Sequence, residues 1–191
     1  MILMSIVEHE GTGCHVLPTD DAVEVSVTDE ALWYVRQLTY EGDEGDSARS
    51  VTKAREHATG GSVAEVAVGV WLESCLPAGW SWSWYTADKH SDVLLTTPTG
   101  DEVRVDVKAR LDQHTHGRDL LVEPRRYSAV EVYDSDVYLQ AIVYEHAVRI
   151  TGWASKADAV AAEWFGKAKS HDTKLISSSD LRSLSELFES F

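Results

Sequence analysis

The residue pattern predicts an α/β chain, and three observations carry that prediction. Residues 91–110 alternate apolar and polar side chains about a Pro-Thr-Gly turn, as a β-hairpin does. Residues 137–144 and 148–153 are short apolar and aromatic runs of strand length. Residues 62–72, Ser-Val-Ala-Glu-Val-Ala-Val-Gly-Val-Trp-Leu, form a run with Glu65 as its only charge ahead of the hairpin and read as a helix. At 191 residues the chain is most simply one domain with length enough for a real core.

The elements follow in order. Residues 2–7 and 22–27 read as short strands. Thr28-Asp29-Glu30 supplies the capping residue and early acids of a helix to Leu38. Residues 40–46, rich in Gly, Glu and Asp, mark a boundary between an N-terminal extension, 1–46, and a core, 47–191. Residues 47–59 are expected to be helical and polar. Gly60-Gly61 should break that helix, with Ser62 as N-cap of the next and Glu65 closing a capping box. Pro77-Ala78-Gly79 ends it.

Trp80, Trp82 and Trp84 alternate with serines, so three indoles share one strand face. They read as an aromatic core wall. The other reading is a stacking platform for unpaired bases, and exposure separates the two. His114 and His116 form an HxH pair beside Gly117, expected to be a solvent-exposed loop rather than a metal site. Ser155 is expected to cap a helix to about residue 169, and residues 180–191 read as a short amphipathic segment.

The hairpin carries the chemistry. Asp106 and Lys108 are two residues apart and share a strand face, while Val103, Val105 and Val107 take the other. A two-residue loop would pair Val93 with Asp106 and mix charged with apolar residues on both faces. A three-residue loop, Pro98-Thr99-Gly100, pairs Val93 with Val105 and Leu95 with Val103 and keeps one face clean. It also sets Asp92 opposite Asp106. Two facing carboxylates repel; a cation between them removes the penalty, and such a pair suits a hard, oxygen-liganded ion, Mg2+ or Mn2+.

With Asp92 on one strand, Asp106-Val107-Lys108 on the next and Glu65 on a preceding helix, the sequence resembles the PD-(D/E)XK nuclease superfamily. Ser91-Asp92 departs from that family's Pro-Asp at its tolerant first position. The resemblance covers residues 60–145. It implies a restriction-endonuclease-like fold, a mixed β-sheet flanked by helices, and Mg2+-dependent (or Mn2+-dependent) hydrolysis of DNA. In that reading Asp92, Asp106, the Val107 carbonyl and Glu65 hold the metal. Lys108 orients and deprotonates water or stabilises developing charge, and Gln140 on a following strand helps hold the site. Alternation alone does not fix the face Gln140 takes. Many relatives of this fold are dimers, so a homodimer is a further expectation. The alternatives are a non-catalytic nucleic-acid-binding or interaction module on the same fold, and a structural or regulatory protein whose acidic hairpin is surface.

The charge balance qualifies the DNA reading. There are 32 acidic against 17 basic residues, a formal charge of -15, whereas nucleic-acid partners favour basic surfaces. An excess of acids spread along the chain is what a protein soluble in concentrated salt looks like, as from a haloarchaeon or its virus; the alternative is an ordinary acidic cytosolic protein. Near 1 M salt the Debye length is about 3 Å, so long-range repulsion of phosphate is weak and local contacts decide. The densest basic stretch, Arg104, Lys108, Arg110, Arg118, Arg125 and Arg126, would supply them, with modest affinity because counterion release yields little at high salt. Cys14 and Cys75 make no disulfide framework or zinc motif. With no basic n-region and no apolar run of membrane length, a soluble, cytoplasmic protein is expected.

Overall fold

Gly60-Gly61 does not break a helix; it lies inside one. In the computed structural model, which describes residues 7–8, 15–18, 22–26, 51–85, 91–111, 119–127, 130–145, 147–168 and 171–191, helix α1 runs without interruption over Val51–Cys75. The expected Ser62 N-cap and its capping box with Glu65 are therefore corrected: Glu65 sits mid-helix. The reason is tertiary. A Cβ on Gly60 would stand 3.2 Å from the Leu111 side chain, and one on Gly69 would meet the Trp82 ring at 2.8 Å and the Trp84 ring at 3.1 Å. The glycines let the helix lie close on the sheet, and that packing offsets their poor helix propensity.

Among the described residues the main sheet has eight strands: β1 Val7–Glu8, β2 His15–Pro18, β3 Val23–Ser26, β4 Ser81–Trp84, β5 Val93–Thr96, β6 Glu102–Leu111, β10 Val137–Val143 and β11 Ala147–Ser155. Their order is β1-β2-β3-β11-β10-β6-β5-β4. Among these described strands only β6 and β10 pair in parallel; the other neighbours are antiparallel. The chain is thus a mixed α/β fold. The N-terminal strands join the core sheet directly, β3 pairing with β11. The helix expected over 28–38, the 40–46 loop and the HxH pair fall outside the described residues.

The hairpin register is the one that the clean-face argument selects: Val93 pairs with Val105 and Leu95 with Val103. Thr97 N–H donates to Asp101 C=O at 2.9 Å, Gly100 N–H donates to Thr97 C=O at 2.9 Å, and Gly100 has φ 92°. Pro98-Thr99-Gly100 is thus a three-residue loop with glycine in the left-handed position. Val103, Val105 and Val107 pack with Val93, Leu95, Leu139 and Ile150 against Val63, Ala67, Val68 and Trp71 of α1.

Parallel strands need a long crossover, and here its described residues include three short strands. Between β6 and β10 lie β7 Leu120–Val122, β8 Arg125–Tyr127 and β9 Val130–Val132. β7 joins a small sheet with β12 Glu163–Ala168 and β13 His171–Ile176, ordered β12-β13-β7. Leu120, Val122 and Ile176 of this sheet meet Tyr138, Ala154 and Ala159 in a second, smaller core. Among the described residues the long helix thus covers one face of the sheet, and the small sheet with Ala159 packs on the other.

Ser155 does cap a helix, with Asp158 completing the capping box, but helix α2 is only Lys156–Ala161. The expected continuation to residue 169 is corrected: Ala162 is extended, with φ -62° and ψ 152°, and the aromatic pair Trp164-Phe165 enters β12. The buried Lys174 ammonium donates to the Val160 carbonyl, satisfying one of the helix's last acceptors. Trp80 and Trp82 pack against the α1 core, as a core wall should, while Trp84 on edge strand β4 is 46 % exposed. Among the described residues no helix is long and apolar enough to cross a membrane.

Candidate active site

Asp92 is fixed by its main chain before its side chain acts. Its N–H donates to Val105 C=O at 2.8 Å and its C=O accepts from Tyr85 N–H at 3.0 Å. The neighbouring Ser91 hydroxyl, buried, shares a 2.7 Å hydrogen bond with the buried Ser135 hydroxyl ahead of β10. Continuing the hairpin register by one residue sets Asp92 opposite Asp106. There β5 has ended, and the Asp92 carboxylate replaces the missing strand: Val107 N–H donates to Asp92 Oδ2 at 2.6 Å. A strand residue turns its N–H and C=O to the same side, so the Val107 carbonyl also faces the Asp92 side.

The other face of β6 carries Arg104, Asp106, Lys108 and Arg110 in a row, opposite to the valines packed on α1. Lys108 Nζ lies 2.7 Å from Asp106 Oδ2. Burial opposes the Lys108 charge, but Asp106 beside it, helped by Asp92 and Glu123, holds its pKa above the usual lysine value. Lys108 is therefore an ammonium here. Across the parallel pair Tyr138 stands in register with Asp106 and Gln140 with Lys108. This settles the face of Gln140: it shares the one that carries Asp106 and Lys108. Burial and the Asp106 charge push the Tyr138 hydroxyl up from its ordinary range.

Negative charge is concentrated at this point. Burial, then the charges of Asp92 and Asp106, push Glu65 up from 4.5 to about 7. Burial also pushes Asp92 up from 3.8 to about 6, against the Val107 N–H bond that favours its charged form, with Asp106 adding to the rise. The fold thus brings Glu65, Asp92 and Asp106 within electrostatic reach of one another. Among the described residues no group of three His, Cys, Asp or Glu side chains is closed up at metal-ligand spacing, so the gathering is one of charge rather than a finished cage. Its donor set nonetheless fits a hard cation: three carboxylates and a strand carbonyl, with too little positive charge to balance them.

The sign of the pH effect follows. The folded state keeps protons on Glu65 and Asp92 that the unfolded chain has released, so stability falls as pH rises from about 4 to about 7 and the loss is complete above that. In EDTA the melting temperature should be lower at pH 8 than at pH 5, and Glu65→Gln should narrow that difference. An unchanged difference in the variant would contradict this coupling.

Gln140 is 0 % exposed, and neither its Nε2 nor its Oε1 has a hydrogen-bond partner among the described residues. A buried amide left so costs about 1–3 kcal/mol for each unmet group, more than a typical satisfied bond returns, and such a group is a place to look for a ligand. Arg110 Nη2 and Arg149 Nε are likewise buried without partners among the described residues. Burial lowers the Arg110 pKa, with Asp119 and Glu123 acting the other way. Sequence reasoning missed Tyr138 and Arg149. Tyr138 alternates with Gln140 and was open to discovery, but Arg149 joins this face only through the β10–β11 pairing.

Of the remaining expected DNA contacts, the described ones are paired with carboxylates. Arg104 is half-exposed on β6, with Nε 3.7 Å from Asp136 Oδ2, and Asp136 also accepts from Arg104 N–H at 2.9 Å where the parallel pair begins. Arg125 lies on β8, its guanidinium paired with Asp134. The Arg126 side chain and Arg118 fall outside the described residues. No family model, curated protein or solved structure matches this chain.

Proposed function

We propose that the chain is a metal-dependent nuclease of the PD-(D/E)XK kind that hydrolyses DNA phosphodiester bonds, with a restriction-endonuclease-like core. The observation that carries this reading is the junction of β5 and β6: Asp92 bonded to the Val107 N–H, Asp106 opposite it, and Lys108 bound to Asp106 on the same face. Asp92, Asp106, the Val107 carbonyl and, directly or through water, Glu65 would hold Mg2+ or Mn2+. That ion supplies a Lewis acid for the phosphate and a lowered pKa for the attacking water. Lys108, kept charged by Asp106, stabilises the negative charge that builds on the phosphate oxygens. Of the two roles that its position suggests, charge stabilisation fits a protonated amine and proton abstraction does not.

Gln140 holds a polar group at the floor of this face at a cost to the fold. Gln140→Leu, of similar volume, removes the unmet amide and should leave the fold as stable or up to about 3 kcal/mol more so, while DNA cleavage falls at least about ten-fold. Chemical denaturation and a cleavage assay on the same protein check both halves; unchanged cleavage would show the amide to be idle.

The metal is tested directly by thermal melting. Mn2+ should raise the melting temperature of the wild type at pH 8 and not that of Asp106→Asn. Equal shifts in both would place the ion elsewhere, and no shift in the wild type would remove the metal site.

A further inference from the structure

We infer that Arg110, Arg149 and Gln140 form a pocket for a second phosphate of the bound strand, next along the sheet from the carboxylates. The inference rests on the nuclease reading for the identity of its ligand, but its geometry is separate. Arg110 pairs with Ile142 across β6–β10, and Ile142 pairs with Arg149 across β10–β11. In-register neighbours share a face, so Arg110, Ile142 and Arg149 form one row over three strands. At about 4.8 Å between strands the two arginine Cα atoms are about 10 Å apart, and their long side chains flank Ile142 from both sides. Gln140 precedes Ile142 by two residues, about 6.6 Å down the same face.

Each member of this group has a buried polar atom without a partner among the described residues: Arg110 Nη2, Arg149 Nε, and both Nε2 and Oε1 of Gln140. Three of those four atoms are donors, so the missing ligand is an acceptor. Glu24 is the register partner of Arg149 across β11–β3. Asp119 and Glu123 act on Arg110 through their charge. Among the described residues none of these acids forms an ion pair with either arginine. Two planar, permanently charged forks with an amide donor on the same face match a tetrahedral oxyanion, which guanidinium groups bind in bidentate fashion. Lys108 stands between this row and Asp106 on the same strand face. A strand whose scissile phosphate lies over Asp92 and Asp106 would present a neighbouring phosphate here.

The test uses the full chain, Arg110→Gln and Arg149→Gln, with fluorescein-labelled DNA oligonucleotides followed by anisotropy over a KCl series. Each variant should bind about ten-fold more weakly, with the slope of log affinity against log salt reduced by about one. The Mn2+ melting shift should persist, which shows the metal site intact. Folded variants with wild-type affinity and slope would overturn the pocket and leave the nuclease reading standing. The wild type titrated with inorganic phosphate gives a second measurement that needs no variant to fold. A raised melting temperature, even in a protein that cuts no DNA, supports the pocket; no rise up to high millimolar phosphate, together with no DNA binding, overturns it.

Discussion

Asp106→Ala and Lys108→Ala should each abolish DNA cleavage, lowering the rate about 10³-fold or more, without unfolding the chain. Loss of one preorganised stabiliser of transition-state charge costs about 10²–10³ in rate, and Asp106 in addition faces Asp92 where the metal is proposed to sit. The fold should survive for different reasons in the two variants. Asp106→Ala removes a charge that pushes Glu65 and Asp92 upward but leaves the Lys108 ammonium without its partner, so the two effects oppose each other and the melting temperature at pH 8 should change little. Lys108→Ala leaves the Asp106 carboxylate without the ammonium 2.7 Å away, so some stability is lost; Lys108→Met keeps the apolar stem and limits that loss. Nicking of supercoiled plasmid, with circular dichroism on the same samples, checks the prediction. Full activity in either variant would sink the mechanism.

Trp153→Ala should cost about 3–5 kcal/mol, the range for deleting a fully buried aromatic side chain. Trp153 is almost completely buried in the main core, and it also fastens the chain end. Its N–H donates to Arg182 C=O at 3.1 Å, its C=O accepts from Arg182 N–H at 2.8 Å, and its Nε1 donates to Ser183 C=O at 2.9 Å. The Arg182 guanidinium lies 5.1 Å from the indole centroid and is held there by Asp158 of α2. Beyond it Leu184 and Leu187 return to the core as buried anchors. Denaturant unfolding should show the loss, and limited proteolysis should cut first after residue 177. A change below about 1 kcal/mol would mean that the tail is held without Trp153.

What could be read from residues alone follows a physical division. The hairpin register was legible because side-chain alternation has a strict period, so only one loop length keeps Val93, Leu95, Val103 and Val105 on one face. Asp92, Asp106 and Lys108 came with it. Strands β10 and β11 were legible as apolar runs of the right length. The Gly60-Gly61 break was misread because a glycine pair weakens an isolated helix, whereas here Gly60 packs against Leu111, far away in sequence. The short α2 was misread because a correct cap says where a helix begins and nothing of its length; the buried Lys174 that closes it comes from β13. The face of Gln140 needed a pairing partner, and the one that settles it, Lys108, lies across a parallel pair that no local pattern announces.

The acidity of the chain and the site are compatible if binding is local. Lys108 and Arg110 lie on the same strand face as Asp106, and at high salt the remaining negative surface is screened beyond a few ångströms. Cleavage should therefore persist at KCl concentrations that weaken ordinary DNA-binding proteins.

The most direct test is incubation of supercoiled and linear DNA with the wild-type protein in Mg2+, in Mn2+ and in EDTA, from low to molar KCl. Cutting that requires the metal and continues into high salt is the expected result. Intact DNA under every condition, from a folded protein whose melting temperature Mn2+ still raises, would contradict the nuclease assignment and leave a binding module in its place.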